Sequence, residues 1–454
     1  MSELIKKYCG LNDDWLNSFE SFNIDDSLVI EDNKINKTFD LLREKLKNNY
    51  PFHHPSYVGQ MLKPPHPIAI SAYISVMKIN PNNHALDGGA ATAELEKESV
   101  NLIAKMFGFE KYLGHLTSSG TIANLEALWI SRQIYPEKSI AYSEQSHYTH
   151  SRMCEVLKVN SVKVKSNKHG QMDIIDLEEK LKSSNIGTVV VTLGTTALGA
   201  LDPLDKIIEL SKKYNFRIHI DSAYAGFYSV LKNSDLINGE LFKLIKNVDS
   251  VVIDPHKHGL QPYGCGCVIF SNPDVGKYYV HDSPYTYFTS KELHLGEISL
   301  ECSRAGASAA ALWTTLQVLP LEQNNGFGNI LKKTRQAGLK LSQKIKESEN
   351  YILLLEPELD IVCYFPKIKD MNSESISNLT EKIFDYLENH KTKPLYLAKL
   401  KISKNIGTYQ ENINWNTENM TILRSCLMKP EHLDFVDEII NRLELAYKEL
   451  VNGK

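Results

Sequence analysis

The chain has 454 residues, with 51 Lys and Arg against 55 Asp and Glu and a net charge of −4; it is too long for one ordinary core and lacks the basic run that a nucleic-acid surface needs. No apolar stretch approaches the roughly 18 residues required to span a bilayer, and the start, MSELIKKYCGLNDDW, has no signal-peptide centre, so a cytoplasmic protein off the membrane is expected. Seven scattered cysteines, an odd number, argue against a disulfide framework and fit a reducing compartment.

In chain order, residues 1–80 hold amphipathic stretches followed by PFHHPSYVGQMLKPPHP, whose prolines forbid regular helix; they read as an N-terminal arm. Residues 81–325 read as a large α/β domain. Helical patterns at 92–107, 121–134, 173–182 (opened by Asp173) and 203–214 (opened by Pro203) alternate with short runs at 139–143, 162–165, 188–193, 217–220, 250–253 and 267–270. Such runs, mostly rich in Val, Ile or Tyr, suit a buried parallel sheet. Cys265 and Cys267, as CGC in the apolar run that leads into the last of these, read as alternate strand residues more readily than as a metal pair. Residues 326–454 change pattern, to helices at 327–348, 375–389 and 431–450 around strands at 360–365, 397–403 and 420–427, which predicts a smaller α+β lobe.

Several strand ends carry chemistry. SVVIDPHKHG puts His256 and Lys257 where a strand stops, the place at which α/β sheets bind ligands; Lys257 is either an ordinary surface lysine or a half-buried one with a lowered pKa whose amine can attack a carbonyl. FRIHIDSAY ends a second strand on Asp221, which is either a helix cap or a carboxylate able to keep a pyridine nitrogen protonated, and Ala223 beside it is small enough to lie under a flat ring. HLTSSGTIAN is a hydroxyl-rich loop that runs through Ser119, Gly120 and Thr121 into a helix, which is either a well-capped helix start with no ligand or a phosphate site, and it lacks the G-K-[ST] ending of a nucleotide P-loop. After SIAY comes His147, either an ordinary hydrogen-bonded histidine or an imidazole lying flat on a ring, and after VVVTL comes Thr195, a hydroxyl within reach of a ligand. All of these fall on one sheet edge.

The order TSSGTIAN, SEQSHYTH, LGTT, HIDSAYAG, DPHKHG resembles the group II amino-acid decarboxylases, pyridoxal 5′-phosphate enzymes of the fold type I class, over about residues 50–320. The resemblance implies an α/β large domain with a mainly parallel central sheet, an N-terminal arm and a small α+β C-terminal domain. It also implies a homodimer with shared active sites. Lys257 would then be the Schiff-base lysine, Asp221 the partner of the ring nitrogen, Ala223 the residue under the ring and His147 the stack above it. Ser119, Gly120, Thr121 and His256 would hold the phosphate, and Thr195 would lie near the ring hydroxyl.

The stretch 283–313 is shorter than its counterpart in animal aromatic amino-acid decarboxylases and looks more like archaeal tyrosine or aspartate decarboxylases and sphingosine-phosphate lyases. Tyr285 and Tyr287 there are candidates for protonating Cα, or else packing residues. The resemblance further implies that His53, His54, Tyr57 and Met61 line the mouth from the arm, facing the partner subunit, and either Arg304 or Arg424 would pair with a substrate carboxylate. The expected activity is decarboxylation of an L-amino acid, aromatic rather than acidic, to its amine and CO₂. A carbon–carbon lyase and an aminotransferase of the same fold are the alternatives. No metal is expected.

Overall fold

The computed structural model describes residues 2–84, 86–280 and 299–451. Seven strands, β1 (Leu113–Thr117), β2 (Ser139–Ser143), β3 (Ser161–Val164), β4 (Ile186–Thr192), β5 (Arg217–Asp221), β6 (Ser250–Ile253) and β7 (Gly266–Phe270), form one sheet in the order β1-β7-β6-β5-β4-β2-β3. All neighbours from β3 to β6 pair in parallel, and β7 runs antiparallel to both β6 and β1. Every residue of β4, β6 and β7 is buried, which is why these strands read as continuous apolar runs rather than alternating ones. Cys267 lies within β7 and Cys265 just before it; both are buried, and burial pushes both thiols up. Six strands, β1 to β6, therefore end on the same sheet edge.

Predicted helix starts agree with the capping chemistry. Asp173 accepts hydrogen bonds from the N–H groups of Ile175 and Asp176 ahead of the helix Ile174–Ser183, and Pro203 precedes the helix Leu204–Tyr214. Two departures are physical. The helix ending at Phe107 begins at Leu86 and is broken at Gly89, and residues 113–117, where the sequence predicts no strand and whose last three residues read as the start of the hydroxyl-rich loop, form β1. His115 concealed that strand: it is fully buried, with Nε2 2.9 Å from Glu126 Oε2.

Beyond residue 325, β8 (Tyr351–Leu353), β9 (Ile361–Pro366), β10 (Ala398–Ser403) and β11 (Asn419–Cys426) make an antiparallel sheet ordered β10-β11-β9-β8, with the helices Phe327–Glu347, Ser373–Glu388 and His432–Val451. At the other end of the chain, the helix Asp32–Leu46 has no buried residue and exposes Ile35, Phe39, Leu42 and Leu46 along one face. No helix among the described residues is long and apolar enough to cross a membrane.

Candidate active site

Five of the loops at this sheet edge converge on a cavity of about 200 Å³, lined by Ser119, Gly120 and Thr121 after β1, His147 after β2, Gly194 and Thr196 after β4, Asp221 and Ala223 at the end of β5, and His256 and Lys257 after β6. After β6 the chain turns sharply: the Lys257 N–H donates to the Asp254 carbonyl at 2.9 Å, and Gly259 lies so close to Pro255 that a Cβ would stand 2.6 Å from its Cα. The turn aims Lys257 into the cavity. Its Nζ is 3.0 Å from Asp254 Oδ2, and His256 Nε2 is 3.5 Å from the same oxygen.

Asp221 is gripped on both oxygens. Oδ2 accepts from His150 Nε2 at 2.8 Å and Oδ1 from the Ala223 N–H at 3.1 Å. Burial pushes this carboxyl up, but the His150 hydrogen bond and charge, the Lys257 ammonium and the Ala223 N–H outweigh it and hold the group well below the usual carboxylate range. Asp221 is thus ionised at neutral pH. Across the cavity, burial lowers the His147 pKa, so its ring is neutral, and Nδ1 is 2.6 Å from Thr149 Oγ1. Within β5, His219 is fully buried, and burial first, then the neighbouring His150, drives it down to about 3; it is held between Asn124 and Ser250.

Ser119 caps the helix Gly120–Ile134 by accepting from the Ile122 N–H, and a Cβ on Gly120 would meet Asp254 Oδ1 at 2.5 Å. Only glycine leaves that helix start open to a bound group. Asp254 Oδ1 is buried with no hydrogen-bond partner among the described residues. An amine, an ionised carboxylate, a small Ala223 floor and a glycine-lined helix N-terminus around one cavity fit pyridoxal phosphate.

Other sequence expectations fare differently. Thr195 does not face the cavity: its side chain is fully buried, and Oγ1 accepts from the Ala200 N–H at 3.0 Å; Thr196 lines the wall instead. Arg304 is turned away, its guanidinium paired with buried Glu96 and donating to the carbonyls of Leu116 and Asn83. Arg424 lies against the cavity wall: Nη1 donates to the Thr196 carbonyl and Nη2 to Gln60 Oε1, both at 3.0 Å, and no carboxylate pairs with it among the described residues. His54 bonds Ser56 and faces Phe435, while Tyr57 is buried among Tyr50, Phe52 and Tyr396, so neither lines this cavity. Tyr285 and Tyr287 lie outside the described residues. The sequence reading missed His150, Asp254 and Thr196; Asp254 stood in the DPHK motif, and His150 stood one helical turn after His147.

Residues 23–367 match the family model described as the pyridoxal-dependent decarboxylase conserved domain. The chain belongs to that family. It is a pyridoxal-phosphate-dependent amino-acid decarboxylase with a fold type I α/β architecture, and of the three reactions left open by the sequence, family membership selects decarboxylation. The chain is 29% identical to an L-aspartate/L-glutamate decarboxylase of Pyrococcus horikoshii, over 73% of this chain and 85% of that protein. It is 26% identical to an L-tyrosine decarboxylase of Enterococcus faecium, over 94% and 91%. Among solved structures, mouse CSAD superposes with a TM-score of 0.79 at 19% identity, covering 96% of this chain and 91% of that one. Oryza sativa TDC with PLP and tryptamine gives 0.79 at 14%, covering 97% and 91%. At such identities the structural likeness speaks for the fold alone.

Proposed function

We propose that this decarboxylase acts on an aromatic L-amino acid and that Lys257 is the covalent anchor of its cofactor. The observation that carries the substrate reading is the pair of exposed aromatic rings beside the cavity. Tyr148 is 63% exposed with its ring 4.2 Å from that of cavity-lining His147, and Tyr263 is 59% exposed and 4.9 Å from cavity-lining His256. Such rings offer faces to a flat side chain. The tyrosine decarboxylase of Enterococcus faecium matches along nearly the whole chain, arm and small lobe included. A second reading, an acidic amino acid, is favoured by Arg424, a buried guanidinium at the cavity wall with no acidic partner among the described residues, and by the Pyrococcus relative.

Bound pyridoxal phosphate supplies a conjugated ring that accepts the electron pair left at Cα when CO₂ departs. In this reading Ser119, Gly120, Thr121 and His256 bind the phosphate, Asp221 holds the ring nitrogen protonated, and Ala223 and His147 confine the ring from its two faces. Arg424 orients a substrate carboxylate, and Tyr285 or Tyr287 delivers the proton to Cα. The exposed apolar face of the helix Asp32–Leu46 supports a homodimer in which the arm covers a second copy, because an isolated helix of this length is marginal in water. Seven unpaired cysteines support a cytoplasmic setting. The test is a panel of tyrosine, phenylalanine, tryptophan, aspartate and glutamate with CO₂ and amine both measured. Equal amounts of CO₂ and an aromatic amine, with one deuterium at Cα in heavy water, are expected. Turnover of aspartate or glutamate alone would replace the aromatic reading by the acidic one.

A further inference from the structure

The helix Thr149–Leu157 begins two residues after His147, and the turn that leads into it, closed by the His150 N–H donating to the His147 carbonyl at 3.1 Å, brings His150 beneath the cavity. His150 is fully buried between Tyr142 of β2 (6.4 Å between centroids) and His219 of β5 (6.5 Å). Since an ionised carboxylate can only accept, Nε2 carries the hydrogen that reaches Asp221 Oδ2 at 2.8 Å. His150 Nδ1 is buried with no partner among the described residues. If the position served packing alone, an apolar side chain would fill it without burying an unsatisfied nitrogen. His150 is also the one side chain among the described residues that donates a hydrogen bond to Asp221, whose other oxygen is held by a backbone N–H two residues on.

We propose that His150 is a positioning residue: its imidazole N–H locks the rotation of the Asp221 carboxylate and so fixes the contact that Asp221 makes with the cofactor's ring nitrogen. The inference rests on the proposed role of Asp221. Removing the donor leaves a carboxylate anchored at one oxygen only, free to turn about its last torsion.

The experiment compares His150→Leu, His150→Gln, Asp221→Asn and the Asp221→Asn/His150→Leu pair. Each is followed by titration of the cofactor-free protein with pyridoxal phosphate, by the visible spectrum of the bound cofactor and by kcat and KM. His150→Leu is expected to raise the cofactor Kd about tenfold, the loss typical of one hydrogen bond to a charged group, and to shift the visible band. It should lower kcat by a similar factor and leave KM almost unchanged. His150→Gln, which keeps an N–H donor, should recover most of each. Because the effect runs through Asp221, the paired variant should be no worse than Asp221→Asn alone. The inference is overturned if His150→Leu keeps the parental Kd and spectrum, or if the loss persists undiminished in the Asp221→Asn background. It is overturned too if His150→Gln is as impaired as His150→Leu. Should His150→Leu fail to fold, the glutamine variant decides: a parental spectrum and Kd support the donor role, and a rise in Kd of about tenfold with a shifted visible band ends it. If Asp221→Asn itself binds cofactor as tightly as the parent, the assignment of Asp221 fails and the inference falls with it.

Discussion

Replacing Gly120 by alanine probes whether a phosphate sits at the start of the helix Gly120–Ile134. The new methyl would lie 2.5 Å from Asp254 Oδ1, 2.7 Å from Oδ2 and 2.9 Å from Cγ, about 1 Å inside ordinary contact. The carboxylate cannot retreat freely. Its Oδ2 is 3.0 Å from Lys257 Nζ, and its backbone is fixed on both sides, the N–H donating to the Ala223 carbonyl at 3.3 Å and the carbonyl accepting from the Lys257 N–H at 2.9 Å. Overpacking of this kind costs about 1–3 kcal/mol. If the strain falls on the bound state, that is roughly 5- to 150-fold in Kd. Titrating the cofactor-free variant with pyridoxal phosphate measures the affinity, and a thermal melt separates it from a general loss of stability. A Kd within twofold of the parent, with no loss in the melt to absorb the strain, would mean that the phosphate binds elsewhere.

Borohydride reduction of the holoenzyme should fix the cofactor on the peptide containing Lys257, and Lys257→Ala should keep noncovalent binding while losing several orders of magnitude in turnover; label on another lysine, such as Lys291, refutes the anchor. The two arginines should separate cleanly. Arg304→Met breaks a buried pair with Glu96 and should lose about 3–5 kcal/mol of stability in urea unfolding, whereas Arg424→Met should mainly raise KM, and the reverse pattern would reassign them. Lys429, whose Nζ donates to the carbonyls of Phe52 and Tyr57, is lowered by burial from 10.5 to about 7. Below pH 7 folded and unfolded chains both carry its proton; between 7 and 10.5 only the unfolded chain does, so stability rises with pH there, by at most about 1.4 kcal/mol per unit. Urea unfolding at pH 7 and 9 should show that Lys429→Met removes this rise, and an unchanged slope would show that the lysine is neutral in neither state.

Residues whose role is set by their own segment were legible in the sequence, and those whose role depends on a distant partner were not. An apolar run that stops at a polar residue marks a strand end, which is why Lys257, Asp221, Ala223 and His147 could be placed on one edge of the sheet before any fold was known. Thr195 and Thr196 cannot be told apart by that rule. Gly194 has φ +88, so the chain reverses after β4, folds Thr195 back onto the N–H of Ala200 and leaves Thr196 facing the cavity. His115 looked like a loop residue because the acid that makes it tolerable inside, Glu126, lies on the next helix. The arginines show the same limit over a longer span: Glu96 stands 208 residues before Arg304, and no local pattern says that one guanidinium is already matched while the other is not. His54 and Tyr57 were expected at the mouth through the family resemblance, facing a partner subunit; within one chain the arm docks on Lys429, which holds the carbonyls of Phe52 and Tyr57. Where a buried polar group finds its partner decides which way it faces, and that information is spread over the whole chain rather than written beside the residue.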